Sequence, residues 1–184
     1  YEHKVKLLCH ILNNDAQSSI VFVKTRERVV ELQSQLQSAG IQSIYLQGEM
    51  AQDKRMQTLG KFKQGQCPVL LATDVAARGI DIRNVSHVIN FDLPRTADIY
   101  VHRIGRTGRS GQKGIAISLV EAHDMGMLGK IERYTEQKLK PKVIAALRPQ
   151  HKVASPGKKK SKKKDGPKGK NKKGAAKKSA KKKK

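Results

Sequence analysis

Five short apolar runs rich in β-branched residues recur along the chain, and helical patterns separate most of them. The runs cover Ser19–Val23, Ser43–Gln47, Pro68–Ala72, His87–Phe91 and Gly114–Val120. Each has the length and composition of a buried strand. Strands that alternate with helices favour an α/β domain of three layers, in which helices cover both faces of a mainly parallel sheet. The functional site of such a domain lies at the carboxyl ends of the strands.

Two segments between these runs predict amphipathic helices. The first spans Thr25–Ala39 and stops before a glycine, and the second spans Ala51–Gln64. Apolar residues recur in them at spacings of three and four, namely Val29, Leu32 and Leu36 and then Met56, Leu59 and Phe62. Each helix is therefore expected to bury one face against the sheet.

The folded domain is expected to end near Arg148. A helical pattern covers Glu121–Tyr134, and a short apolar helix is predicted between Pro141 and Pro149. From there the composition changes: Lys152–Lys184 contains 17 lysines and one acid, so it carries +16 of the formal charge of +24. Such a segment buries too little apolar surface to offset its ordering entropy. We predict a domain over residues 1–148 and a disordered lysine-rich tail over 149–184.

The strongly basic charge predicts a polyanionic partner. No long apolar run or amphipathic basic helix is visible, so nucleic acid is favoured over a membrane surface. The tail either adds affinity for structured RNA or only improves solubility, and its composition cannot specify a sequence.

Cys9 and Cys67 are isolated and are expected to be buried small hydrophobic residues, since no Cys/His spacing resembles a metal site. No signal peptide or membrane span is visible, which favours the cytoplasm. The chain begins at Tyr1 without an initiator methionine, and we expect it to be a fragment of a longer protein.

The segment His102–Arg109, HRIGRTGR, concentrates three arginines and two glycines within eight residues. Glycine lets a backbone approach an anion closely, and arginine offers a rigid fork of donors that matches phosphate oxygens. The segment therefore favours phosphate binding, including the charge that develops during phosphoryl transfer. The alternative is a solvated basic loop.

The segment Ala72–Asp81, ATDVAARGID, leaves the third predicted strand and enters a short helix. The hydroxyl of Thr73 and the N–H groups at the helix start could bind a nucleic-acid phosphate. Alternatively, Thr73 or Asp74 serves as the N-cap of the helix, and both can be true. Asp81 could accept hydrogen bonds from a ribose.

Together these motifs resemble the second, C-terminal RecA-like domain of DEAD-box ATP-dependent RNA helicases of superfamily 2. The resemblance extends from Tyr1 to about Arg148 and rests on ordered motifs: VFV at Val21–Val23, QGEM at Gln47–Met50, ATDVAARGID, VINFDLP at Val88–Pro94, and HRIGRTGR. Ser118–Asp124, SLVEAHD, resembles the bacterial SrmB type in particular.

The resemblance implies roles for individual residues. Catalytic arginines that reach the ATP γ-phosphate would be Arg106 and Arg109. The other ATP contacts would come from Asp81, at the ribose, and Gly79. The RNA backbone would be contacted by Gly48, Glu49, Gln52, Arg55, Thr73, Asp74 and Gly79, although Gly48 could equally be a plain strand-to-helix turn. Coupling between sites and lobes would fall to Arg78, His102 and Arg103, and no metal ligand is expected in this chain.

The chain has no G-x-x-x-x-G-K-[ST] loop and no D-E-A-D run. The resemblance implies that these elements, with the Mg²⁺ ligands, lie on an N-terminal RecA-like lobe, so this fragment alone is expected to be inactive as an ATPase. The expected whole protein unwinds short RNA duplexes with ATP, and ribosomal or RNA-decay proteins are candidate partners. The alternative is a basic RNA-binding module in which the lobe is only a platform.

Overall fold

The computed structural model describes residues 1–14, 16–82, 85–108, 111 and 113–148. Its sheet has five parallel strands in the order β2-β3-β1-β4-β5. The strands are β1 (Ser19–Phe22), β2 (Ser43–Leu46), β3 (Val69–Ala72), β4 (His87–Asn90) and β5 (Ile115–Ser118). All five lie within the runs predicted from the sequence, each shortened at one or both ends.

Within the described residues, six α-helices accompany the strands. They are α1 (Glu2–Asn14), α2 (Arg26–Ser38), α3 (Gln52–Lys63), α4 (Asp74–Ala77), α5 (Ala97–Ile104) and α6 (Met125–Thr135). The predicted helix at Glu121–Tyr134 begins as a 3₁₀ turn over Ala122–Asp124 and continues as α6. Between the two prolines, the described chain forms only the 3₁₀ turn Ala145–Leu147.

The sheet separates two apolar cores, as expected for a three-layer domain. Successive strand residues point to opposite faces, so Val21 packs against α1 and α2 while Ile20 and Phe22 pack against α3 and α4. The first core includes Leu8, Val29, Leu32 and Leu36, and the second includes Leu59, Phe62, Leu70 and Val88. The predicted α/β architecture is confirmed.

One core prediction is wrong. The spacing predicts Met56 on the buried face of α3, but its side chain is 59% exposed. The buried stripe of α3 instead follows Arg55, Leu59 and Phe62, at spacings of four and three, and Arg55 is half-buried on it. The spacing from Met56 to Leu59 also fits a helical period, so the pattern alone did not distinguish the two stripes. Cys67 is buried as predicted, whereas Cys9 is only half-buried, and burial raises the pKa of its thiol.

The strand order creates a crevice at the carboxyl edge of the sheet. From β1 the chain crosses to one side, towards β2, whereas from β4 it continues to the other side, towards β5. Adjacent strands whose connections diverge in this way leave a cleft beyond their carboxyl ends. Within the described ranges no helix has the length and apolarity needed to cross a membrane.

Candidate functional site

The helix α4 begins directly after β3, at the carboxyl edge of the sheet. Thr73 is its N-cap, and the Thr73 hydroxyl accepts a hydrogen bond from the N–H of Ala76 at 3.3 Å. The N-cap interpretation of Thr73 is therefore confirmed, because this bond satisfies one of the orphan donors at the helix start. Its contact with a nucleic-acid phosphate stays a prediction.

Arg103, on α5, crosses the interior to hold the start of α4. Its Nε and Nη2 donate to the two carboxylate oxygens of Asp74 at 2.6 and 2.8 Å. Its Nη1 donates to Asn90 Oδ1 at 2.9 Å and to the carbonyl of Asp92 at 2.7 Å. The guanidinium also stacks over the ring of Phe22, 4.8 Å from the centroid.

This bidentate pair is mostly shielded from water. Arg103 is 2% exposed and the Asp74 side chain 26% exposed. A planar guanidinium that meets a carboxylate through two bonds fixes both position and orientation. Arg103 therefore joins α5 to α4 and β4 from within the domain. Its side chain lies beneath the surface that a second lobe could contact.

Arg55, on α3, holds the other end of α4. Its Nη2 donates to the carbonyl of Ala76 at 2.7 Å and to the carbonyl of Arg78 at 3.4 Å. The last carbonyls of a helix lack partners within the helix, so this arginine satisfies groups that would otherwise face water. The short helix α4 is thus held by one arginine from α5 at its start and by another from α3 at its end.

Arg106 follows α5 and turns back towards the segment after α4. Its Nη1 donates to the carbonyl of Ile80 at 2.9 Å, next to Asp81, which is exposed. Arg106 is half-buried, so part of its guanidinium stays accessible. The structure therefore brings the predicted phosphate-binding arginine to the backbone of Ile80, the residue before the predicted ribose-binding Asp81. Arg109 lies outside the described residues.

A cleft of about 310 Å³ opens at this edge of the sheet. Ten of the described residues line it: Phe22, Asp74, Ala77, Arg78, Gly79, Asp98, Ile99, His102, Arg103 and Arg106. Six of them were named from the sequence, and Arg78, Gly79 and His102 are exposed. The cleft combines several cationic side chains with an open mouth, which suits an anionic ligand that a second surface could cover.

Asp98 also lines the cleft, although no motif in the sequence indicates it. It lies on α5 four residues before His102, so the two side chains share one helix face. A hydrogen bond from the Thr96 hydroxyl lowers the pKa of Asp98 below its usual range, and its own helix backbone and His102 act in the same direction. The four-residue spacing was the available signal, but nothing in the sequence showed that this face of α5 lines the cleft.

A second group of predicted residues lies near α3, away from the cleft. Gly48 and Glu49 form a turn after β2, closed by a 3.3 Å bond from the N–H of Met50 to the carbonyl of Gln47. Glu49 pairs with Arg26, the first residue of α2; the Arg26 side chain is about half exposed and that of Glu49 is mostly exposed. Gln52, at the start of α3, is exposed.

No sequence motif indicated that Arg26 lies beside this turn. Its position there depends on how the start of α2 packs against the end of β2. A Cβ placed on Gly48 would lie 3.7 Å from Arg26 Nη2 and 3.8 Å from Val75 Cγ1. These are ordinary contact distances. The turn at Gly48 therefore needs no glycine for space, and its predicted contact with RNA stays a prediction.

Asp92 anchors a charged cluster beside the cleft. Its Oδ1 accepts from Arg28 Nη1 at 3.0 Å and from Lys4 Nζ at 3.4 Å, while its Oδ2 accepts from the N–H of Lys24 at 3.0 Å. The same residue offers its carbonyl to Arg103. The cluster ties α1 and α2 to the loop after β4, which stiffens the wall behind the cleft.

Among the residues that the structure describes, one group has potential metal-ligand atoms within 4.8 Å of one another: Glu121, His123 and Asp124. Glu121 and Asp124 form a reciprocal capping box at the 3₁₀ turn, and Lys4 lies 3.5 Å from Glu121. The cluster is thereby explained by helix capping and by a neighbouring cation.

Comparison with known proteins gives a consistent result. Residues 3–111 match the family described as helicase conserved C-terminal domain. The chain is 57% identical over 155 residues to the ATP-dependent RNA helicase SrmB of Escherichia coli, covering 84% of this chain and 35% of that protein. It is 54% identical over 161 residues to SrmB of Haemophilus influenzae, covering 87% and 37%. The chain thus spans about a third of the length of these curated relatives.

Solved structures agree. The crystal structure of E. coli DEAD-box protein SrmB bound to regulator of ribonuclease activity A has a TM-score of 0.81 at 56% identity, covering 84% of this chain and 92% of that one. The C-terminal domain of the DEAD-box protein Dbp5 has a TM-score of 0.68 at 38% identity, covering 73% and 79%. The chain therefore belongs to the helicase conserved C-terminal domain family, as a C-terminal RecA-like domain of the DEAD-box class.

Proposed function

We propose that this chain is the C-terminal lobe of an ATP-dependent RNA helicase that separates or remodels short RNA duplexes. The observation that carries the proposal is the cleft at the carboxyl edge of the sheet, which is lined by Arg106, Arg78 and His102 and has an open mouth. In the whole protein an N-terminal RecA-like lobe would cover this mouth, and ATP would bind between the two lobes. That lobe would also hold Mg²⁺.

In this proposal Arg106 and Arg109 reach the γ-phosphate. Their charge stabilises the negative charge that spreads over the transferred phosphoryl group, and a nearby low-dielectric surface strengthens this effect. Asp81 would accept hydrogen bonds from the ribose, and Gly79 would let the backbone approach the nucleotide. Support comes from the 2.9 Å bond of Arg106 to the carbonyl of Ile80, because it ties the arginine to the segment that carries Gly79 and Asp81.

RNA would bind across the turn after β2, the start of α3 and the start of α4. The residues proposed to contact its backbone are Gly48, Glu49, Gln52, Arg55, Thr73, Asp74 and Gly79. Backbone contacts carry no sequence information, so binding would be largely independent of sequence. Arg103 occupies the Asp74 carboxylate, and Arg55 donates to the carbonyl of Ala76. We therefore propose that Asp74 and Arg55 act by holding α4 in position against the RNA.

Coupling between the two ligands would run through α4 and its surroundings. Arg78 ends the helix at the cleft, and exposed His102 is available to the covering lobe. Arg103 is buried, so it would support the interface from beneath rather than touch the second lobe. The different roles proposed for His102 and Arg103 follow from the exposure of the first side chain and the burial of the second.

A cytoplasmic setting in ribosome assembly or RNA decay is part of the proposal. E. coli SrmB, whose structure is similar to this chain, has been crystallised with regulator of ribonuclease activity A. We infer that a ribosomal or RNA-decay protein is a partner of this chain as well.

The lysine-rich tail is expected to add affinity for RNA. Its 17 lysines would neutralise phosphates and release counterions, so deleting residues 149–184 should weaken RNA binding and flatten its dependence on salt, with ATP hydrolysis at saturating RNA unchanged. Binding titrations at several salt concentrations measure the slope. An unchanged slope would show that the tail is a bystander.

A basic RNA-binding module without motor activity is the second candidate, and the charge of the tail favours it. The two candidates differ in strand separation. The protein that carries this chain with its N-terminal lobe is expected to separate a short RNA duplex when ATP is supplied and not when ATP is withheld. Annealing or binding alone, unaffected by ATP, would favour the module.

A further inference from the structure

Gly108 and Gly114 pack backbone against backbone where the chain enters β5. A Cβ placed on Gly114 would lie 2.8 Å from the Cα of Gly108, and closer still to the Gly108 nitrogen and the Thr107 hydroxyl. Any side chain at position 114 would therefore force the backbone at 107–108 to move. The reverse contact is looser, since a Cβ on Gly108 would lie 3.7 Å from the nitrogen of Gly114.

The opposite side of this segment is pinned against the entry to β4. Thr107 is buried, and its hydroxyl donates to the carbonyl of Val85 and, at 3.3 Å, to that of Ser86. The N–H of Val85 donates in turn to the carbonyl of Arg106 at 3.4 Å. Residues 106–108 are thus held between the entries to two neighbouring strands, with Val85 on one side and Gly114 on the other.

We propose that Gly114 is a positioning residue for Arg106. Arg106 directly precedes Thr107, whose hydroxyl a Cβ on Gly114 would meet. A side chain at position 114 can be accommodated only if Thr107 and Gly108 are displaced, which shifts the backbone that carries Arg106. This inference rests on the proposed function of Arg106, and it extends the site to a residue outside the HRIGRTGR segment.

The test compares Gly114→Ala with Gly111→Ala in the protein that carries both lobes. Gly111 lies in the same loop at a φ of 76°, and a Cβ there would meet no atom within 4 Å. Gly111→Ala therefore adds backbone strain without a collision. Gly114→Ala is expected to lower kcat for RNA-stimulated ATP hydrolysis by about a hundredfold, as misplacement by about 1 Å can. The KM for RNA is expected to stay unchanged, and Gly111→Ala should keep its kcat.

Equal kcat values for the two variants would overturn the inference. If Gly114→Ala does not fold, Thr107→Val loosens the same segment from its other side without added volume. A folded Thr107→Val protein is expected to lose kcat and keep its affinity for RNA, and an unchanged kcat would again overturn the inference. Arg106→Ala separates the two claims: if that substitution leaves hydrolysis intact, the proposed function fails, whereas loss of hydrolysis there but not in Gly114→Ala refutes only the role of Gly114.

Discussion

Replacing Arg106 with alanine in the protein that carries both lobes is expected to lower RNA-stimulated ATP hydrolysis by about a thousandfold or more. Arg106 donates to the carbonyl of Ile80, the residue before Asp81, and part of its guanidinium stays accessible in the cleft. An arginine that stabilises charge only in the transition state affects kcat much more than binding. Steady-state hydrolysis at saturating ATP and RNA measures the loss.

The matched control is Arg95→Ala, because Arg95 is an exposed arginine just before α5 that does not line the cleft. It is expected to keep full activity. Arg106→Lys should recover little, since an ammonium does not reproduce the planar fork of donors. Unchanged turnover in Arg106→Ala would remove Arg106 from the catalytic machinery, as would an equal loss in Arg95→Ala.

Replacing Asp74 with alanine is expected to destabilise the domain by about 3 kcal/mol, the lower end of the range for breaking a buried ion pair. The substitution leaves the guanidinium of Arg103, which is 2% exposed, without the carboxylate that accepts two of its hydrogen bonds. The lower end applies because the Asp74 side chain is itself a quarter exposed. Urea unfolding of this chain measures the difference.

Asp53→Ala is the control, since Asp53 lies exposed in the first turn of α3. Its loss is expected to cost less than about 1 kcal/mol, the usual value of an acid at a helix start. Adding Arg103→Met to Asp74→Ala should recover part of the stability, because removing both charges avoids burying one alone. If Asp74→Ala and Asp53→Ala cost the same, the pair does not hold α4 in place.

The sequence predicted the layers of the fold well because local signals carry them. Each strand run is short and apolar, and the helix predicted over Thr25–Ala39 is observed as α2, Arg26–Ser38, with Val29, Leu32 and Leu36 buried. Such local signals could not predict the order of the strands in the sheet. The crevice depends on β1 lying between β3 and β4, and these contacts join residues far apart in the chain.

The sequence indicated which residues belong to the site better than it indicated where their side chains lie. Arg103 and Arg106 stand three residues apart in one motif and both line the cleft, yet Arg103 is buried against Asp74 whereas Arg106 is half-buried. Their different environments come from the end of α5 between them, where the helix stops at Ile104 and the chain turns. Asp74 and Arg103 are separated by 29 positions, so no spacing within a motif could pair them.

The most direct test of the account is ATP hydrolysis by this chain alone and by the same chain joined to its N-terminal RecA-like lobe, each with and without RNA. We predict turnover only in the joined protein and only when RNA is present, because the arginines of this lobe act on a nucleotide held by the other lobe. Hydrolysis by this chain alone, or no hydrolysis by the joined protein with RNA, would contradict it.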